Sequence, residues 1–257
     1  MTDNGFPLEG FPVDPHGRAP LPTLLERPTP GRVLILAPHP DDDVIGMGGT
    51  AALHVAQGDP VHVVIAYSGL EGDPERRWEP EEYKAMRRAE AQAGGRHLGL
   101  ASYEFWDYPE GHTPAPYEIL KAAVYLGERV QAAAPDVVYC PWIGEHHLDH
   151  HVLARVTRLA LARIGFQGTA WGYEVWSPLI PTHVLEIDGV WERKVAALRE
   201  HQTQLAYVDV VHKGLAVNAQ RSIYARPECR YAEGLAPLGA PEPADAALLD
   251  EPFVPPS

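Results

Sequence analysis

The stretch Val33-Leu34-Ile35-Leu36-Ala37-Pro38-His39-Pro40-Asp41-Asp42-Asp43 constrains the fold of this chain more than any other. Its unbroken apolar start reads as a strand buried on both faces, the kind found in parallel sheets. The run then stops in one histidine and three carboxylates, within a turn that Pro40 restricts. Ligands of open α/β sheets gather outside the carboxyl ends of strands. An imidazole and several carboxylates delivered at that rim form a donor set for a divalent metal. Neighbouring residues of one turn cannot all aim at one ion. The expected division puts His39 and Asp42 on the metal, with Asp41 facing the open coordination position. A plain helix-capping role fits Asp43 better than it fits the set.

The rest of the chain alternates. Residues 32–37, 60–66, 103–106, 136–140, 170–176 and 182–187 read as strands. Residues 46–57, 81–98, 117–134, 149–164 and 191–207 read as helices. This order predicts an α/β, Rossmann-like fold, with a mainly parallel sheet, helices on both faces and the metal site at the C-terminal strand ends. With 257 residues the chain is long enough for one large domain. Residues 1–30 read as a proline-rich N-terminal arm, 31–236 as the domain, and 237–257 as a loosely held proline/alanine-rich tail. The loop 68–80 lies on the same edge as the acidic turn and has the composition of a mobile cover.

A second cluster, Glu145-His146-His147-Leu148-Asp149-His150-His151, follows the strand at 136–140. His147 and His150 are three apart at the start of an expected helix and can share a face, whereas His146 and His151 point elsewhere. Asp149 can orient an imidazole. The plain alternative is a solvated histidine-rich loop. Two ligands from the first cluster and one from the second leave a position open for water, as in catalytic metal sites. The metal acidifies that water, a carboxylate takes its proton, and a histidine off the metal stabilises an oxyanion or protonates a leaving amine.

The residues Pro38-His39-Pro40-Asp41-Asp42-Asp43-Val44-Ile45-Gly46-Met47-Gly48-Gly49 resemble the AHPDDE-x-x-G-x-G-G signature of the PIG-L/LmbE-like deacetylases. His147-Leu148-Asp149-His150 is similar to the HPDH motif of that family. Arg87-Arg88-Ala89-Glu90-Ala91 with Leu98-Gly99, and Tyr108-Pro109-Glu110-Gly111, resemble two further family segments. The resemblance implies a Rossmann-like enzyme that removes acetyl groups from N-acetylglucosaminyl compounds with a bound metal, Zn2+ in most members and Fe2+ as the other option. It also implies His39, Asp42 and His150 as ligands, Asp41 as general base, and His147 as acid or oxyanion partner, held by Asp149. Arg87, Arg88 and Glu110 are the expected contacts to sugar hydroxyls. Asp43 stands where the family has Glu, Leu148 where it has Pro, and Glu145 where some glycosyl-inositol deacetylases carry Tyr. That last difference speaks against copying their substrate.

The bulk numbers exclude some classes. A net charge of −14 is a poor basis for sequence-blind nucleic-acid binding. Two cysteines make no disulfide framework or zinc ribbon, so a cytoplasmic setting is expected. The N-terminus lacks the pattern of a signal peptide, and no apolar stretch suits a membrane span. The expected partner is a small amino-sugar molecule, and homo-oligomerisation through the proline-rich arms is open. Cys140 reads as a small core residue. Trp106 and Tyr108 read as core, or as a wall against a sugar face. Three alternatives compete with the deacetylase: an amidase on a larger thiol or sugar conjugate, a DHH-like phosphoesterase suggested by Asp149-His150-His151, and a non-catalytic binding module.

Overall fold

The computed structural model describes residues 21–252. Its strands are β1 (Thr23–Leu25), β2 (Val33–Ala37), β3 (Val61–Tyr67), β4 (Ser102–Tyr108), β5 (Val137–Pro141), β6 (Thr169–Tyr173), β7 (His183–Glu186) and β8 (Ala232–Pro237). They form one sheet in the order β1-β7-β8-β6-β5-β2-β3-β4. Every neighbouring pair is parallel except β6–β8 and β7–β8, because β8 runs against both neighbours. The helices are α1 (Asp42–Ala56), α2 (Pro80–Leu98), α3 (Pro116–Ala133), α4 (Leu148–Arg163), α5 (Trp191–Arg199), α6 (Gln202–Leu205), α7 (Val210–Arg221) and α8 (Pro243–Ala246).

Period-two alternation explains the two-sided core. Along β2, Val33, Ile35 and Ala37 join one apolar layer, and Leu34 and Leu36 join the other. Each strand side chain buried in this way contributes roughly 1.5–3 kcal/mol. The chain winds from β2 outward through β3 to β4, then returns to β5 on the other side of β2. The reversal opens a crevice outside the carboxyl ends of β2 and β5, where such sheets hold ligands.

Several expectations about elements need correction. Helix α1 begins at Asp42 rather than Gly46 and is interrupted at Met47 (φ −149°). The helix expected over 191–207 is two helices, with Glu200 and the fully buried His201 between them. Helix α7 and strand β8 have no counterpart in the sequence reading. The first twenty residues of the expected arm lie outside the described residues. The end of the arm is part of the fold, since β1 pairs in parallel with β7. Residues 238–252 are docked rather than loose, and 253–257 of the expected tail lie outside the described residues. Asp245 is buried and accepts two hydrogen bonds from Arg155 of α4, and Arg163 donates to the carbonyls of Leu248 and Leu249.

Candidate active site and metal centre

Strand β2 ends at Ala37, and the next residues turn back on themselves. The N–H groups of Asp41 and Asp42 both donate to the carbonyl of His39. This turn places the first acidic cluster at the start of α1. Gly46 allows α1 to press onto β6, because a Cβ there would lie 2.4 Å from the Tyr173 ring. Tyr173 is itself fixed by donating its hydroxyl proton to the carbonyl of Leu36. The second cluster arrives after the end of β5, where His147 is the cap residue just ahead of α4.

Three donor atoms converge at the crevice. Asp42 Oδ2 lies 3.0 Å from His39 Nδ1 and 3.1 Å from His150 Nε2, and the two nitrogens are 3.3 Å apart. The edge of a tetrahedron built on metal–ligand bonds of about 2.0–2.1 Å is about 3.3 Å. The three atoms therefore fit three corners of a tetrahedral divalent ion. Two other groupings come within 4.8 Å, His39–His147–His150 and His39–Glu110–Asp149. The Asp42 set is the tighter one, and two imidazoles with one carboxylate is one of the donor sets that catalytic zinc uses.

Electrostatics favour a cation in the same place. Burial works against a charged His39, yet Asp149 and Asp42 hold its pKa up at about 9. Burial likewise opposes a charged His150, but Asp42 and then Glu145 raise it to about 10. Burial would raise Asp42, and the two imidazoles hold it well below the usual carboxylate range. Positive charge is stabilised where the three donors meet, and an arriving ion would take the place of imidazole protons.

Both imidazoles are backed by a carboxylate. Asp149 Oδ2 lies 3.1 Å from His39 Nε2, and its other oxygen accepts from the Gly111 N–H. His147 Nδ1 is farther from Asp149, at 4.0 Å. Asp149 thus orients His39 more directly than it orients His147. On the far side of His150, the buried Glu145 carboxylate faces Nδ1 at 3.5 Å. Glu145 also accepts from the N–H groups of Val175, Trp176 and Ser177. A carboxylate at Nδ1 leaves Nε2 free for a metal. The sequence marked Glu145 only as a departure from relatives. Its signal was a carboxylate five residues before a ligand histidine.

A cleft of about 160 Å3 opens onto these groups, lined among others by His39, Asp41, Asp42, Arg87, Glu110 and His147. Asp41 is 5% exposed, and Arg87 Nη2 lies 3.0 Å from its carboxylate. Arg87 is itself buried and donates to the carbonyl of Gly69, a residue at φ +79°. The His147 side chain is 43% exposed, and burial of the rest, with His39 and His150 nearby, lowers its pKa. Glu110 accepts from Ser68 Oγ and from the N–H groups of Leu70 and Glu71. Asp73 accepts from the Trp78 N–H and the Tyr207 hydroxyl. The loop expected to be a mobile cover is thus pinned at both ends.

The structure does not bring every expected residue to the cleft. Arg88 pairs with Asp107 and lies over the Phe105 ring. Trp106 and Tyr108 pack against the core layer on the α3–α4 side. Cys140 is fully buried, and burial raises its thiol to about 12. His146 and His151 bond to Ser177 Oγ and the Ile143 carbonyl, away from the centre. Glu71 and Gln204, which the sequence reading missed, also line the cleft, together with Trp176. These three arrive from separate segments, the 68–80 loop, the chain leaving β6 and helix α6, so no local motif announces them.

The edge of a mainly parallel α/β sheet thus brings together three donors spaced as for a divalent metal and an adjacent carboxylate. The PIG-L family model, described as GlcNAc-PI de-N-acetylase, matches residues 34–161, and the chain is similar to that family over this stretch. A 4-oxalmesaconate hydratase of Pseudomonas putida is 28% identical, covering 79% of this chain and 87% of the relative. A 1D-myo-inositol 2-acetamido-2-deoxy-alpha-D-glucopyranoside deacetylase of Mycobacteroides abscessus is also 28% identical, covering 70% and 84%. The structure of the N,N'-diacetylchitobiose deacetylase from Pyrococcus horikoshii superposes with a TM-score of 0.65 at 25% identity, covering 80% of this chain and 82% of that one.

Proposed function

We propose that this chain is a zinc-dependent N-deacetylase that hydrolyses the acetamide of an N-acetylglucosamine-type conjugate. The observation that carries the proposal is the tetrahedral spacing of Asp42, His39 and His150 beside Asp41 in an open cleft. His39, Asp42 and His150 would hold the ion. Zn2+ suits two imidazoles and a carboxylate, with Fe2+ the next candidate. An ion held there supplies Lewis acidity, which acidifies water and polarises an amide carbonyl.

The remaining work falls to the chain's own groups. Asp41 accepts the proton of the attacking water and later delivers it to the leaving amine. Arg87 holds the Asp41 carboxylate in place through an ion pair at 3.0 Å. His147 donates a hydrogen bond to the acyl oxygen as charge builds there. Asp149 holds the His39 ring, and Glu145 holds His150. Arg87 and Glu110 border the cleft and are proposed to face the sugar, whereas Arg88 has no part in the proposal. No described helix is long and apolar enough to cross a membrane. Both cysteines are free, in keeping with a cytoplasmic setting. An amidase acting on a larger conjugate would use the same groups.

A second reading rests on the similarity to the Pseudomonas putida hydratase. Addition of water to an unsaturated oxo acid needs the same activated water and proton acceptor, but no acyl group leaves. Acetate release from N-acetylglucosaminides, assayed on zinc-loaded and metal-stripped protein, separates the two. Metal-dependent acetate supports the deacetylase. Absence of acetate together with loss of ultraviolet absorbance from an unsaturated dicarboxylate transfers the assignment to hydration.

A further inference from the structure

Trp176 belongs to two spaces at once, the active-site cleft and a neighbouring cavity of about 360 Å3. The walls of this cavity are the start of α1 at Ile45 and Gly46, the chain leaving β6, and one face of α7. Helix α7 buries Val210, Gly214, Asn218 and Arg221 against the domain. Lys213 and His212, also lining the cavity, are left exposed at its mouth. Among the described residues neither side chain has a carboxylate partner. The one carboxylate in the lining, Glu174, is buried and matched by two bonds from Arg221, at 2.6 and 2.5 Å. Lys213 therefore brings a cation that no carboxylate of the lining matches, Asp209 standing outside the lining at the His212 N–H, in a chain whose net charge is −14.

A second observation is independent of charge. Asn218 is 2% exposed, and its amide nitrogen donates to the Ala232 carbonyl. Its Oδ1 has no hydrogen-bond partner. A buried acceptor without a donor is costly, so this atom is suited to a hydroxyl supplied from the cavity.

We propose that the cavity between Trp176 and α7 is the subsite for the group attached to the amino sugar, and that this group is anionic. Lys213 and His212 meet the anion, and Asn218 accepts a hydroxyl of the conjugate. The proposal rests on the reading that places the acetamide at the Asp42 centre. It makes Lys213 a specificity-determining residue for that reaction.

The test uses the full zinc-loaded chain and deacetylated glycosides, so that turnover does not intrude. Calorimetry compares glucosaminyl malate, glucosamine 1-phosphate and neutral methyl glucosaminide. The expected result is at least about tenfold tighter binding of one acidic ligand than of the methyl glycoside at low salt, an advantage that salt erodes. The better acidic ligand tells carboxylate from phosphate. Lys213→Glu with His212→Ala should bring the ratio near unity. Lys121→Glu, which makes the same charge change on an exposed position of α3, should leave it intact. Equal binding of acidic and neutral ligands by the wild type overturns the proposal, as does a ratio that Lys121→Glu lowers equally. Acetate release from the N-acetyl forms is read in parallel. Acetate without charge preference removes the subsite and keeps the deacetylase, and preference without acetate does the reverse.

Discussion

His150 lies between two carboxylates, Asp42 at 3.1 Å from Nε2 and Glu145 at 3.5 Å from Nδ1. Removing the outer one should loosen the metal without touching its ligands. Glu145→Ala is expected to lower metal affinity about 10–100-fold, as read by competition with a coloured chelator. Because Glu145 also anchors the Trp176 N–H, tryptophan emission should shift in the same variant. Asp41 makes the complementary case. Asp41→Asn should retain the metal while kcat falls about 100- to 10,000-fold, since a proton acceptor is lost but no ligand. Equal loss of metal and turnover would place Asp41 on the ion instead. His201 supplies the pH dependence at this scale. Burial, with Arg87 nearby, lowers its pKa to about 4 despite Asp41 and Asp42. The unfolded chain, with a value near 6.5, takes up a proton first as pH falls. Stability should therefore drop between pH 6.5 and about 4, by about 3 kcal/mol, and be unaffected by this residue above that range. Urea unfolding of wild type and His201→Leu across the window should show a flatter profile in the variant.

At the scale of elements, α1 is two short helices joined at Met47, and a buried ion pair repairs the join. Lys194 donates to the carbonyl of Ile45, at the end of the first piece. Glu233 accepts from the N–H groups of Gly49 and Thr50, at the start of the second. Lys194 and Glu233 lie 2.6 Å apart, 0% and 1% exposed. Lys194→Met leaves the carboxylate buried and uncompensated, and should cost about 3–5 kcal/mol in chemical unfolding. A cost under about 1 kcal/mol would mean the pair is replaceable. This join also explains a boundary missed from sequence. The glycines at 46, 48 and 49 suggested a helix starting there, whereas the fold adds one turn ahead of them and orients Asp42 and Asp43 with it. Strand β8 was illegible for a related reason. Its residues AEGLAP include no β-branched side chain, and its one carboxylate is buried for use elsewhere. The break before α6 has no glycine or proline to announce it.

At the scale of the whole molecule, the alternation of strands and helices was enough to foresee the parallel sheet and the edge that carries both histidine loops. The reversal of winding between β2 and β5 turns that edge into a crevice, and the ligand atoms meet there. Local motifs exposed the residues that lie next to one another in the chain. The cleft walls and the partners of Arg87, Glu145 and Asp245 come from distant segments and appear only when the chain is folded. Chemistry at a single centre fed by β2 and β5 is the central claim, and one titration tests it most directly. Zinc is added stepwise to metal-stripped protein while acetate release from an N-acetylglucosaminide panel is followed. The account predicts release that rises with zinc, saturates near one ion per chain, and is absent in Asp42→Ala. Zinc bound at that stoichiometry with no acetate from any glycoside, or acetate release indifferent to stripping, would contradict it.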